Sequence, residues 1–281
     1  MRVLKLAGYT SEDIKQLREA TAAGMLDCKK ALDEAEGDYN KALDIIRIKG
    51  LRGVTKREGR LTSNGAVVAK VEGNLGVMLE LNCETDFVAK GERFIALADE
   101  LLAHLQNVQS DSVESFLATT MADGKSVQSV VDQANATLGE KIELRRIAVI
   151  KDAPVGVYLH RTSPDLPPQV GVLVELVKDV ADIGKEIAQH IAAFAPKFVN
   201  RDEVPADLIE NERRIAEESA REEGKPEAAL SKIIEGRVAG FVKEVSLIEQ
   251  SFAKDAKKTV KQILDEAGTA VKAFHRFRVG Q

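Results

Sequence analysis

Residues 65–83 read GAVVAKVEGNLGVMLELNC, and their hydropathy alternates with a period of two on either side of Gly73-Asn74. Such alternation puts successive side chains on opposite faces of a strand, and a Gly-Asn pair suits the turns that join antiparallel strands. A β-hairpin is therefore expected, with Val77, Leu79 and Leu81 on one face. A helix-period run, GERFIALADELLAHL, follows it. Further along, VGVYLHRTSPDLPPQVGVLVELV repeats strand, turn and strand, and DIGKEIAQHIAAFA repeats the helix. GVMLELN from Gly76 and GVLVELV from Gly171 match closely enough to indicate an internal duplication. The pattern predicts an α+β core of two related halves, each a hairpin of antiparallel sheet with a helix over it.

The halves differ just after their second strands. The first continues CETDFVAKGERF and the second KDVADIGKEI, so Asp86-Phe87 has no counterpart. Asp86 could cap the following helix while Phe87 packs inward. Alternatively, the segment serves another molecule. A duplicated scaffold explains strands and helices on both sides, but not an acid and a large apolar ring on one side only.

Outward from the core, residues 11–50 carry three short helical patterns. Ser11 is placed to cap the first, ahead of Glu12 and Asp13, and Gly24 in TAAGML breaks it. LDCKKALDEAEG stops at Gly37, and Asp38 is placed to cap YNKALDIIRIKG, which ends at Gly50. From Arg47 to Arg60 the basic residues Arg47, Lys49, Arg52, Lys56, Arg57 and Arg60 face one acid, Glu58. This stretch reads as a solvated linker or a nucleic-acid contact. On the far side, PADLIENERRIAEESAREEGKPEAALSKIIEGRVAGFVKEV predicts two helices that meet at Gly224-Lys225-Pro226. Leu208, Ile215 and Ser219 form a thin seam on one, and Leu230, Ile233, Ile234, Val238 and Phe241 line the other, as in a projecting antiparallel coiled coil. The closing run TAVKAFHRFRV alternates and is expected to return to the core as a strand. The expected division is 1–50 helical module, 51–62 basic linker, 63–150 first core subdomain, 151–203 with 245–281 second core subdomain, and 204–244 helical hairpin inserted in the latter.

Composition narrows the function. At 281 residues the chain is long for one domain, and its net charge of -5 argues against a general nucleic-acid or membrane-surface binder. Cys28 and Cys83 are expected as reduced core thiols. The apolar patch in MRVLKLAGYTSEDIKQL is too short for a signal peptide, and no run approaches the ~20 apolar residues of a membrane helix, so a cytoplasmic protein is expected. Gly124-Lys125-Ser126 resembles the tail of a phosphate loop, but Thr119 stands where that motif needs glycine. Asn135-Ala136-Thr137 is a glycosylation triplet without a secretion signal. His104, His160, His190 and His275 are scattered, with no metal-ligand spacing. His104 is expected to be structural, while His190 fits either an exposed contact or a satisfied core position. No catalytic residue, metal or cofactor is expected, which favours a protein that acts by binding another.

Three separated blocks, LREATAAGMLDCKKALDEAEGDYNKAL, NCETDFVAK and EGR…F…EVSL, closely resemble the bacterial elongation factor Ts family, the guanine-nucleotide exchange factors of elongation factor Tu. The similarity extends from about Leu17 to about Val279. It implies a ubiquitin-associated-like first module, a core of two subdomains and the protruding hairpin. It further implies that Thr85, Asp86, Phe87 and Val88 are pushed toward the magnesium and phosphate site of the GTPase, where Phe87 enters an apolar cleft. Arg18, Met25, Leu26, Lys29 and His190 match positions at which the family contacts its partner. Ala253-Lys254 departs from the apolar residues many members carry there. The implied partner is elongation factor Tu, GDP-bound and nucleotide-free, with no nucleotide, membrane or specific nucleic acid bound by the chain itself. The Gly24-Met25-Leu26 turn alone would also suit an adaptor that binds ubiquitin-like or other helical partners without exchange activity.

Overall fold

The computed structural model describes residues 8–21, 23–57 and 59–281. The N-terminal patch at 1–7, Glu58 and the side chains of Arg47, Arg52 and Lys56 lie outside the described residues. Helices α1 (Ser11–Thr21), α2 (Met25–Glu34) and α3 (Tyr39–Arg57) open the chain. Leu17, Cys28, Ala31, Leu32 and Ala42 form their small shared core.

Two details differ from expectation. Thr10, not Ser11, caps α1, because Asp13 closes a reciprocal pair: Thr10 Oγ1 accepts from the Asp13 N–H at 3.2 Å and Asp13 Oδ2 accepts from the Thr10 N–H at 2.6 Å. The third helix also runs through Gly50 to Arg57, so the first part of the expected linker is helical. An interior glycine costs a helix only about 1 kcal/mol. Arg57 Nη1 also gives the last turn a tertiary contact, donating to the Asn135 carbonyl at 2.9 Å.

In the first half, β1 (Asn64–Glu72) and β2 (Leu75–Cys83) form the hairpin, with Glu72 opposite Leu75 across Gly73-Asn74. Gly73 has φ +57, a backbone conformation that favours glycine. Then come α4 (Asp86–Ala89), α5 (Glu92–Val108), α6 (Val113–Leu117) and α7 (Val127–Leu138). Strand β3 (Glu143–Ile150) pairs antiparallel with β2 to complete a sheet ordered β1-β2-β3. Val77, Leu79 and Leu81 face the helices, packing with Phe94, Leu101, Leu105 and Phe116 in the largest cluster.

The second half repeats the plan. Strands β4 (Val155–His160) and β5 (Val170–Leu176) form its hairpin, and α8 (Ile183–Phe194) covers it. Helices α9 (Ala206–Glu222) and α10 (Glu227–Val245) form the antiparallel hairpin, turning at Gly224 with φ +69. Of the expected α9 seam, Leu208 packs against Val242 and Val245, and the Ser219 hydroxyl accepts from Arg237 of α10 at 3.0 Å. Ile215 is exposed, and Ala216 and Ala220 are the buried residues of that helix. The short strands β6 (Ser251–Phe252) and β7 (Asp255–Thr259) pair, helix α11 (Val260–Ala267) follows, and β8 (Val271–Arg278) returns beside β5 in a sheet ordered β4-β5-β8.

The two three-stranded sheets pack against each other through Val67, Met78, Ala148, Leu173 and Phe277. Gly76 and Gly171, the matched glycines of the repeat, make the approach possible. A β-carbon on Gly76 would stand 2.7 Å from Val155 Cγ1, and one on Gly171 would stand 2.4 Å from Val67 Cγ1. Val67 lies opposite Glu80 and Val155 opposite Glu175, at the same offset from the two glycines. The contact therefore occurs twice, once from each half, about a local pseudo-twofold.

Candidate functional site

The site grows from the end of β2. Cys83 is buried, and its Sγ donates to the Thr85 carbonyl at 3.2 Å. Burial pushes this thiol up to about 12, so it stays protonated and unreactive. Thr85, not Asp86, is the N-cap of α4, its Oγ1 accepting from the Val88 N–H at 3.4 Å. Within the single turn of α4, Ala89 is buried and Val88 packs against the first-half core. Phe87 points the other way and is 81% exposed. The inward-packing alternative for Phe87 therefore does not hold in the free chain. Asp86 Oδ2 accepts from Lys90 Nζ at 2.8 Å, and this bond holds its carboxyl below the usual range. In the second half, no helix intervenes between β5 and α8.

Three residues distant in sequence brace the turn; sequence inspection missed Glu140 and Lys141 and read Arg60 only as one of the basic residues of the linker stretch. Glu140 Oε2 accepts from the Thr85 N–H at 3.0 Å and Glu140 Oε1 from the Thr85 hydroxyl at 2.6 Å. Glu84 Oε1 accepts from the Lys141 N–H at 2.7 Å, and the Glu84 carboxylate also takes Arg60 Nη1 at 3.0 and 3.1 Å. Burial works against the Glu84 charge, but the Lys141 and Arg60 hydrogen bonds and the neighbouring Arg57 charge outweigh it and keep its pKa low. No motif marks these partners in the sequence.

The first module presents a second apolar element. Gly24 has an extended backbone and caps α2, whose inward face is Cys28, Ala31 and Leu32. Helical spacing turns Met25 and Leu26 away from that face, leaving them 62% and 72% exposed. Arg18 and Lys29 are also exposed. A cleft of about 390 Å³ lined by Gly24, Asp27, Lys30, Ala136 and Gly139 separates this turn from the end of α7. Gly139 immediately precedes Glu140, so the α7–β3 connection lies between Met25-Leu26 and the Phe87 turn.

His190 is a correction: it is 0% exposed. Its Nε2 donates to Gln250 Oε1 at 2.8 Å and its Nδ1 accepts from the Ala253 N–H at 3.1 Å. The neutral ring is satisfied on both sides, and the reading of an exposed contact fails because α8 faces the β6–β7 turn there. Phe194 stacks on His190 with ring centroids 4.8 Å apart, and it is Phe194 that meets solvent, 52% exposed.

Comparison with known proteins gives a decisive match. The Elongation factor TS family model matches residues 84–281. Elongation factor Ts of Streptomyces griseus subsp. griseus is 58% identical over 277 residues, covering 98% of this chain and 100% of the relative. The chain belongs to the elongation factor Ts family. Further members, Elongation factor Ts of Acidothermus cellulolyticus (56% identical over 276 residues) and of Thermobifida fusca (53% over 277 residues), show the same coverage of 98% and 100%. The family model begins at Glu84, the first residue of the braced turn. Members of the elongation factor Ts family are nucleotide exchange factors rather than catalysts of covalent chemistry, and no helix among the described residues is long and apolar enough to cross a membrane.

Proposed function

We propose that this chain is the exchange factor of elongation factor Tu, and that it releases GDP by inserting Thr85–Val88 beside the magnesium and phosphate site of the GTPase. The observation that carries this reading is the Phe87 ring, exposed on a turn whose Thr85 is hydrogen-bonded twice to the Glu140 carboxylate. A free protein gains nothing from a solvated phenylalanine, whereas a partner's apolar cleft gains about 1.5–3 kcal/mol by taking it in. Asp86 enters with it, bringing an acid toward the magnesium. A protein that binds the nucleotide-free GTPase more tightly must, by reciprocity, weaken GDP binding by the same factor. One aromatic ring supplies about tenfold to hundredfold of that coupling, so a second docking surface is required. Met25, Leu26, Arg18 and Lys29 on the first module provide it, and that module acts as the ubiquitin-associated-like dock. The chain itself binds no nucleotide, and the emptied GTPase then reloads with GTP.

The test is release of a fluorescent GDP from elongation factor Tu of the same organism, with the intact chain and with Phe87→Ala. Acceleration by the intact chain that the substitution slows is the expected result. No acceleration by the intact chain overturns the proposal and leaves the exposed Met25-Leu26 turn as an adaptor surface.

A further inference from the structure

We infer that Glu140 is a positioning residue for exchange, fixing the direction of Phe87 through Thr85; the inference rests on the function just proposed. Helix α4 has four residues, far too few to be stable alone, and its outward residue contributes no packing. The aim of the ring therefore depends on what holds the ends of the turn. At the C-terminal side, Val88 and Ala89 seat against the core. At the N-terminal side, Thr85 carries the load. Its hydroxyl is a long acceptor for the Val88 N–H at 3.4 Å but a short donor to Glu140 at 2.6 Å, and its N–H goes to the same carboxylate at 3.0 Å. Two charge-assisted bonds from one carboxylate to one residue fix orientation as well as distance.

The connection is reciprocal. Glu140 takes the N–H of Thr85, and Glu84 takes the N–H of Lys141 at 2.7 Å, so two pairs of adjacent residues clasp each other across separations of 55 and 57 positions. The Glu140 side of the clasp is itself pinned. Gly139 ends α7 with φ +77, and buried Asn135 accepts the Ile142 N–H at 2.7 Å while donating to the Ile142 carbonyl at 3.0 Å. Asn135 is also the residue whose carbonyl accepts from Arg57 at the end of α3. The turn that aims Phe87 is thereby built on the same connection that abuts the first module.

The test uses the full chain and exploits its lack of tryptophan. Phe87→Trp places a single fluorophore on α4, and time-resolved anisotropy reads its local motion. Adding Glu140→Leu is expected to introduce fast depolarisation. Glu140→Gln, whose amide can accept from the Thr85 N–H and donate to its hydroxyl, is expected to restore most of the order. In GDP release with Phe87 present, Glu140→Leu should slow the maximal rate about tenfold and shift the half-saturating concentration less than about twofold, since the module's docking surface is untouched. In a Phe87→Ala background, the same substitution should have no further effect. Thr85→Val, which removes one of the two donors, gives a second variant should Glu140→Leu fold poorly by urea denaturation. Unchanged anisotropy, an unchanged maximal rate, or equal losses with and without Phe87 would each overturn the inference. Failure of the intact chain to accelerate release would instead overturn the functional reading, and anisotropy would still decide whether Glu140 orients the turn.

Discussion

Val67 of β1 fills the space where Gly171 of β5 has no side chain, with its Cγ1 2.4 Å from the position of the missing β-carbon. Met78 Sδ closes the same space at 2.8 Å. Neither neighbour is at the free end of an exposed chain, so Gly171→Ala must push the two sheets apart. Overpacking of this kind costs about 1–3 kcal/mol. Urea denaturation should show that loss, and Val67→Ala in the same chain should recover part of it. Equal stability of Gly171→Ala and the intact protein would mean the sheets are not packed as described.

Phe87→Ala separates binding from folding. A ring that is 81% exposed makes little contribution to the folded state, so stability should change by less than about 0.5 kcal/mol. GDP release should slow about tenfold to hundredfold, the worth of one buried aromatic. A lowered melting temperature would indicate that the ring packs inward in solution.

Met25→Asp and Leu26→Asp place charges on an apolar turn that faces solvent in the free chain. Calorimetry against nucleotide-free elongation factor Tu should show weaker binding, by about tenfold or more for each. Circular dichroism should be unchanged. Unaltered affinity would exclude the first module as a dock.

Stability should fall as the solution is made mildly acidic. Burial lowers the pKa of His190 and of His275, so between those depressed values and the unfolded value of about 6.5 the unfolded chain binds protons that the folded chain does not. The stabilisation is full above about pH 6.5 and is lost as pH falls through the folded values. At His190 the cause is concrete, because a proton on Nδ1 would face the Ala253 N–H that this nitrogen now accepts. The urea midpoint should decline from pH 7.5 to pH 5.5, and less so in His190→Gln. Carboxylates held low, such as Glu84, contribute a separate loss only at about pH 4.5 and below.

The sequence revealed most where side chains obey a period. The β1–β2 hairpin, α5, α8 and the return of β8 all follow from alternation or helical spacing, and the turn at Gly73-Asn74 from local chemistry. Strand β3 did not, because ELRRIAVI carries adjacent arginines; Arg146 lies opposite Glu80, which is buried and ion-paired with it, a partner 66 residues away. The Phe87 segment was visible as a difference between two copies of one scaffold. Its braces were not, since Glu140 and Thr85 meet only after α5, α6 and α7 have folded back. His190 was ambiguous because a polar residue on a half-apolar helix is explained only by Gln250 and the Ala253 N–H, some 60 residues further along the chain.

The helical hairpin has a hydrodynamic consequence. Its helices, of 17 and 19 residues, are about 25–28 Å long at 1.5 Å per residue. Apolar contacts with the body concentrate at the base, around Val204, Val242 and Val245. Beyond that base, water surrounds a rod that adds friction out of proportion to its mass. The chain should therefore sediment more slowly, and elute earlier from a sizing column, than a sphere of 30.6 kDa.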